Sequence, residues 1–249
     1  MGTVTNISIG KPSKNRIKIK HMELTVQIKM NEKLFLRNPE DTELGREILR
    51  NSIILIHKAG FEIFTFKKLA EEMGTTEASV YRYFENKHRL LVYIVSWYWS
   101  WLEYKIAVHT NNIEKPEIKL KKAMHILSTP VKDDINTKHV DERLLYEVVM
   151  LEGAKAYLNR QVSEDNKNRF FKPYKDLCTS VASIISQCNP KYKYPRSLAT
   201  TIIEMAHFQN FFMKNLPALT DFGNSKDESK VIKFLEDLVF SSLYPSKSK

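Results

Sequence analysis

Thr65-Phe66-Lys67-Lys68-Leu69-Ala70-Glu71-Glu72-Met73-Gly74-Thr75-Thr76-Glu77-Ala78-Ser79-Val80-Tyr81-Arg82-Tyr83-Phe84 holds two helical periods separated by a glycine. In the first, Phe66, Leu69, Ala70 and Met73 recur at i, i+3, i+4 and i+7, one apolar stripe of a 3.6-residue helix, with Lys67, Lys68, Glu71 and Glu72 opposite. Thr65 is placed to cap the first turn, because its hydroxyl accepts from an orphan backbone N–H. Gly74 follows the last apolar residue, where a left-handed residue ends a helix without a Cβ penalty. The second period restarts with Thr75 or Thr76 as N-cap; Val80 and Phe84 face inward and Thr76, Glu77, Ala78, Ser79 and Arg82 face out.

The outward set has the chemistry of a helix laid in a DNA major groove. Small side chains at Ala78 and Ser79 allow close approach of the backbone to the groove floor, while hydroxyls bond base edges or phosphates without specifying a base. Tyr81 and Tyr83 offer phenolic O–H groups to phosphate, and Arg82 and Lys87 add charge. The candidate DNA contacts are thus Thr65, Lys67, Thr75, Thr76, Glu77, Ala78, Ser79, Tyr81, Arg82, Tyr83 and Lys87. The hydrophobic pattern of two short helices also occurs in helical proteins that never meet DNA, so the ordered hydroxyl, aromatic and basic set carries the reading.

With those residues in place, the chain resembles the tetracycline-repressor (TetR) family of bacterial regulators. The matching positions are Gly60-Phe61, Thr65, Leu69-Ala70, Gly74, Ser79-Val80-Tyr81, Tyr83-Phe84, Lys87 and Leu90-Leu91, within about residues 42–104. The resemblance implies an all-α protein: a three-helix DNA-binding domain followed by a helical ligand-sensing and dimerisation domain. It also implies that Thr65, Thr76, Ser79, Tyr81, Tyr83 and Lys87 touch DNA. Two positions depart from the family pattern. Glu77 stands where a basic or small residue is frequent, and Ala78 where glycine is frequent. Glu77 either accepts from a cytosine amino group or points into solvent.

Flanking segments extend the same organisation. Leu44, Ile48, Ile53, Ile56 and Ala59 keep a helical period up to Gly60, and Asn38-Pro39-Glu40-Asp41 supplies its start signals. From Lys87 a long helix runs to about Ile106 with Tyr93, Trp97, Tyr98, Trp99, Trp101 and Tyr104. By the resemblance it links the DNA-binding and sensing parts; by its residues it is a core helix rich in packing aromatics. Beyond Pro116 helices are predicted at about 116–128, 141–159, 165–187, 195–215 and 227–243, with Pro173 able to divide the third. The expected domains are a basic N-terminal arm (1–38), a helix-turn-helix domain (39–86) and the helical body (87–249).

Leu24, Val26, Ile28 and Met30 alternate with polar residues, and Leu34 and Leu36 resume the alternation, so a strand or hairpin is expected ahead of the helices. Residues 1–21 are basic and turn-rich; either they form an arm that tracks phosphates or Met22 is the true start.

The chain has 249 residues, a net charge of +10 and two cysteines without metal-type spacing. The charge lies mostly outside the motif, since residues 41–101 hold eight Lys/Arg against eight Asp/Glu. The basic balance is therefore weak support for a polyanion partner. With no long apolar run and no signal-peptide core, the expected location is a reducing cytoplasm, without membrane contact. Only seven glycines occur, with no G-x-G-x-x-G, P-loop or G-x-S-x-G, so no enzyme, cofactor or metal is expected. His139 and Glu142 lie one turn apart, too sparse a set for a metal site.

The last two helices carry more apolar residues than one buried face needs, among them Phe208, Phe211, Phe212, Phe234 and Leu238. A homodimer through these helices, reading two half-sites of double-stranded DNA, is expected. An unidentified small-molecule effector would bind among the middle helices, where Trp101, Met124, His125, Phe170, Phe171, Tyr174, Met205 and His207 either line a pocket or fill the core. The predicted function is a dimeric regulator, a repressor released by a small hydrophobic ligand. The alternative is a ligand-independent DNA-binding scaffold.

Overall fold

The computed structural model describes residues 28–129, 140–223, 225 and 227–245. Its helices are α1 (Glu43–Ala59), α2 (Phe66–Glu72), α3 (Glu77–Tyr81), α4 (Lys87–Thr110), α5 (Pro116–Ser128), α6 (Glu142–Glu152), α7 (Ala154–Tyr157), α8 (Val162–Lys167), α9 (Lys172–Cys188), α10 (Pro195–Asn215) and α11 (Ser229–Leu243). Short 3-10 turns at Glu32–Leu34, Pro39–Asp41 and Pro217–Leu219 complete the regular structure. The expected all-α fold is the observed one.

Helix starts are written in the side chains. The hydroxyls of Thr42, Thr65 and Thr76 accept from the backbone N–H of Gly45, Lys68 and Ser79, and the side chains of Asn86 and Asp141 do the same for α4 and α6. Gly74 takes φ 62°, the left-handed value that ends α2 and turns the chain into α3. Gly45 is needed for a different reason: a Cβ there would lie 2.2 Å from the Pro39 carbonyl oxygen, so the α1 start can only dock on the preceding turn as glycine.

Three expectations change. Where Leu34 and Leu36 were to continue a strand, Asn31 caps a 3-10 turn through its side chain, and such local bonding competes with extended pairing. Leu36 N–H then donates to the Tyr83 carbonyl at 2.8 Å, fastening this segment to the end of α3. The earlier part of the expected strand (24–27), the basic arm (1–21) and His139 lie outside the described residues. The helix expected over 141–159 breaks at Gly153 into α6 and α7. The helix expected over 165–187 divides into α8 and α9. Arg169 adopts φ 61°, and Pro173 sits in the first turn of α9, the one place in a helix where its missing N–H costs nothing.

α4 is the spine. It packs against α5, α6 and α9, while α9 lies along α10 and α10 along α11. Its tryptophans are all buried, with Trp97 stacked on Trp101 at 6.4 Å. Among the described residues no helix is long and apolar enough to cross a membrane.

Candidate nucleic-acid interface and body cavity

α1, α2 and α3 hold a small core of Ile48, Ile53, Phe66, Leu69, Val80 and Phe84, all buried. On that platform Thr65, Lys67, Thr76, Ala78, Tyr81 and Arg82 are exposed, and Thr75, Glu77 and Ser79 are half-buried. The Tyr81 ring stands edge-on to Phe66 at 5.0 Å, which fixes its direction while leaving its hydroxyl outward. Thr76 and Ser79 hydroxyls lie 2.9 Å apart at the start of α3, so one rotor is held by the other.

Two residues expected at phosphate are used differently. Tyr83 is only 1% exposed; its hydroxyl lies 2.7 Å from Thr42 Oγ1, and the Arg37 guanidinium sits 5.5 Å from the ring centroid. It is a strut between α1 and the end of α3, and the phosphate expectation for it is corrected on burial. Lys87 Nζ donates to the carbonyls of Phe61, Glu62 and Phe64 at 3.0, 3.1 and 3.2 Å and lies 4.8 Å from the Phe61 ring centroid. An ammonium has three donors, and all three tie the α1–α2 loop to the start of α4. Lys87 therefore supports the reading head instead of clamping phosphate with its own N–H groups. Sequence reasoning missed Arg37, exposed beside the end of α3; the fold, not a motif, brings it there. Tyr83→Phe, which removes one hydroxyl contact and keeps the ring, is expected to lower stability by about 1 kcal/mol in chemical denaturation, with DNA sequence preference unchanged.

One set of polar contacts fastens the head to the body, and a second holds the start of α4 to α8 within the body. His57 Nε2 of α1 meets Glu147 Oε2 of α6 at 2.5 Å, Phe61 N–H donates to Glu152 Oε1 at 3.1 Å, and Lys155 Nζ bridges Glu62 and Glu152. Those contacts, Glu152 first, hold the Lys155 ammonium above its ordinary range. On the other side, buried Asp165 of α8 receives His88 Nε2 and Arg89 Nη1 of α4, each at 3.1 Å, and the Arg89 guanidinium lies 4.4 Å from the Phe170 ring centroid.

Between α4, α7, α9 and the start of α10 the body has a half-open cavity of about 690 Å³. Its walls include Val92, Val95, Trp99, Tyr157, Phe171 and Tyr174, with Lys175 and Arg196 among the rest. Of the residues expected to line a pocket, this cavity brings together Phe171 and Tyr174. Trp101, Met124 and Phe170 are core instead, each filled around on every side. His125 is exposed, 3.5 Å from the Thr129 hydroxyl, and Met205 is a half-buried residue packed on the core. The members missed, Val92, Val95 and Trp99, are spaced three and four apart on α4, a stripe indistinguishable in sequence from core.

His207 is buried in a polar cluster. Its Nε2 lies 2.9 Å from the Tyr98 hydroxyl, its Nδ1 lies 2.6 Å from the Ile203 carbonyl, and the Tyr146 ring stacks on it at 5.9 Å. Burial pushes its pKa down to about 4, so the ring is neutral in the folded state. The unfolded chain takes up this proton near the ordinary histidine value of about 6.5. Its contribution to stability is therefore complete above that pH and is lost as pH falls towards 4. The melting temperature is expected to drop between those values, and His207→Asn to flatten that part of the profile. Burial likewise raises the Tyr98 and Tyr146 hydroxyls, and lifts the Cys178 thiol of the cavity wall to about 11. Among the described residues no His, Cys, Asp and Glu set could hold a metal ion.

A helix-turn-helix head capped onto a wholly helical body is the build of a DNA-binding transcription regulator. Residues 48–94 match the model of the bacterial regulatory proteins of the tetR family. Residues 48–94 are thus identified as a DNA-binding domain of the TetR type. Solved structures share the fold across head and body. AibR in complex with isovaleryl coenzyme A and operator DNA is 16% identical, with a TM-score of 0.53 over 78% of this chain and 98% of that one. The fatty acid degradation regulator FadR from Bacillus halodurans is 18% identical, with a TM-score of 0.55 over 81% and 98%. GusR from Salmonella enterica is 16% identical, with a TM-score of 0.51 over 81% and 97%. No curated protein matches the chain by sequence.

Proposed function

We propose that the protein is a cytoplasmic homodimeric repressor that leaves a pseudo-palindromic operator when a small, largely apolar molecule fills the cavity beside α4. The observation that carries the DNA-binding part is the exposed face of α3 on a fully packed platform. There, small and hydroxyl side chains occupy the centre and Tyr81 and Arg82 flank them. In this reading Thr75, Thr76, Glu77, Ala78 and Ser79 meet the groove, while Thr65, Lys67, Tyr81, Arg82 and the newly identified Arg37 contact phosphate. The head is residues 39–86 and the sensing and dimerising body residues 87–249.

Dimerisation is supported by α10 and α11, which leave Phe208, Phe234 and Leu238 substantially exposed, with Phe212 stacked on Phe208 at 5.9 Å. Large apolar groups aligned on two adjacent helices suit a self-complementary interface about a two-fold axis. Ligand response is supported by the cavity and by where its wall leads. Tyr157 lines it, and Lys155 and Glu152, within about a turn and a half along the chain, hold Glu62 and the Phe61 N–H of the head. A ligand that shifts α7 changes the setting of the head, and a few kcal/mol of differential binding between the two settings suffices to switch occupancy. That the neighbour AibR binds both an acyl coenzyme A and operator DNA makes such a pairing of sites reasonable for this fold.

Salt dependence tests the assignment of phosphate contacts. For a DNA fragment the protein binds, Arg82→Ala is expected to lower affinity for all sequences alike and to reduce the slope of log K against log salt by about 1. An unchanged slope would remove Arg82 from the phosphate contacts, and a changed sequence preference would make it a base reader.

A further inference from the structure

The wall of the body cavity is asymmetric in charge. Lys175 and Arg196 are its charged members, and no Asp or Glu lines it among the described residues. The neutral donors are already engaged. Ser96 Oγ donates to the Phe170 carbonyl, Thr179 Oγ1 to the Lys175 carbonyl, Thr200 Oγ1 to the carbonyls of Arg196 and Ser197, and the Tyr174 hydroxyl to Glu204 Oε1. Lys175 Nζ is held by Asn166 Oδ1 outside the cavity. The Arg196 guanidinium makes no ion pair or side-chain hydrogen bond among the described residues, so of the two cations it is the one with every donor open to an occupant. The remaining wall, with Val92, Val95, Trp99 and Phe171, is apolar and aromatic.

We propose, resting on the effector reading above, that the cavity takes an amphipathic anion, with its apolar body against α4 and α9 and its acidic head at Arg196. An anion is attracted to the Arg196 end while the apolar remainder of the wall takes the tail, which fixes the direction of insertion as well as the class of ligand. The volume lies in the range of about 300–1,000 Å³ typical of small-molecule sites, enough for an aliphatic chain with a compact head.

Three probes with one chain and three heads test this directly: dodecanoate, dodecanol and dodecyltrimethylammonium, each below its micelle-forming concentration. Binding to the full-length protein without DNA is followed by calorimetry and by tryptophan fluorescence, since Trp99 lines the site. The absence of DNA keeps the result independent of operator recognition. Dodecanoate is expected to bind about tenfold more tightly than dodecanol, a difference of one charge-assisted contact, and the ammonium more weakly than either. Arg196→Gln should bring dodecanoate down to the level of dodecanol while leaving dodecanol unchanged; Arg196 is exposed, so the fold is expected to survive. Lys175→Gln should leave the preference in place. Equal binding of acid and alcohol, preference for the ammonium, a preference that persists in Arg196→Gln or vanishes in Lys175→Gln, or no binding of any probe would each overturn the proposal.

Discussion

Asp165→Ala is expected to destabilise the protein by roughly 3 kcal/mol, lowering the melting temperature by about 6–12 °C in a chain of this size. The carboxylate is only 2% exposed and is the common partner of His88 and Arg89 at the start of α4. Without it, Arg89 keeps only the solvent-exposed Glu85 at 3.7 Å as counter-charge, and its guanidinium remains over the Phe170 ring. Breaking one side of a buried pair costs more than the pair contributes, because the survivor stays desolvated; the partial exposure of the His88 and Arg89 side chains keeps the figure below the upper limit for fully buried pairs. Asp165→Asn, which keeps the shape and one acceptor, should cost less than half as much. Thermal denaturation of the three proteins checks this, and a shift under 1 °C for the alanine variant would show that α8 does not anchor α4.

Ala78→Glu is expected to reduce operator affinity by about 100-fold with the melting temperature unchanged. Ala78 is exposed on α3, and in the proposed reading its small size lets the backbone approach DNA. A glutamate there adds bulk and a negative charge facing phosphates, at a cost comparable to a mismatched contact of about 1–3 kcal/mol in each half-site. In the free protein the same change is nearly neutral, since glutamate is a good helix former and favourable in a first turn. Fluorescence anisotropy for DNA and calorimetry for stability separate the two effects. Retained affinity would place the groove contact on another element.

The reading head was legible because its signals are local. Thr65, Gly74 and Thr76 act through their own backbone neighbours, and the stripe Phe66–Leu69–Ala70–Met73 reports burial within one helix. Tyr81 and Tyr83 show where locality ends. They are two residues apart, yet one is 46% exposed and the other 1%. α3 stops at Tyr81, so a helical period no longer tells which side Tyr83 takes, and Thr42, 41 residues earlier, supplies the partner that draws it inward. Lys87 is similar, since its three carbonyl partners lie more than 20 residues away on a loop.

The cavity was legible only in part for a different reason. An apolar side chain that borders an empty volume has the same chemistry as one that fills it. Trp99 and Trp101 sit two positions apart on α4; one lines the cavity and the other packs on Trp97. Which does which depends on where α7, α9 and the start of α10 lie against α4, and that is set by residues far along the chain. Arg196 and Thr200, one turn apart at the start of α10, also line the cavity, and polar residues at a helix start are too common to mark a pocket in sequence.

A homodimer that reads DNA with two copies of α3 requires a two-fold symmetric site. Selecting genomic fragments from the source organism with the purified full-length protein, and sequencing those retained at moderate salt, measures it most directly. The expected result is a single enriched motif whose two half-sites are related by a two-fold axis and spaced by a whole number of helical turns, lost with Ala78→Glu. No enrichment over input, or an enriched motif without two-fold symmetry, would contradict the account.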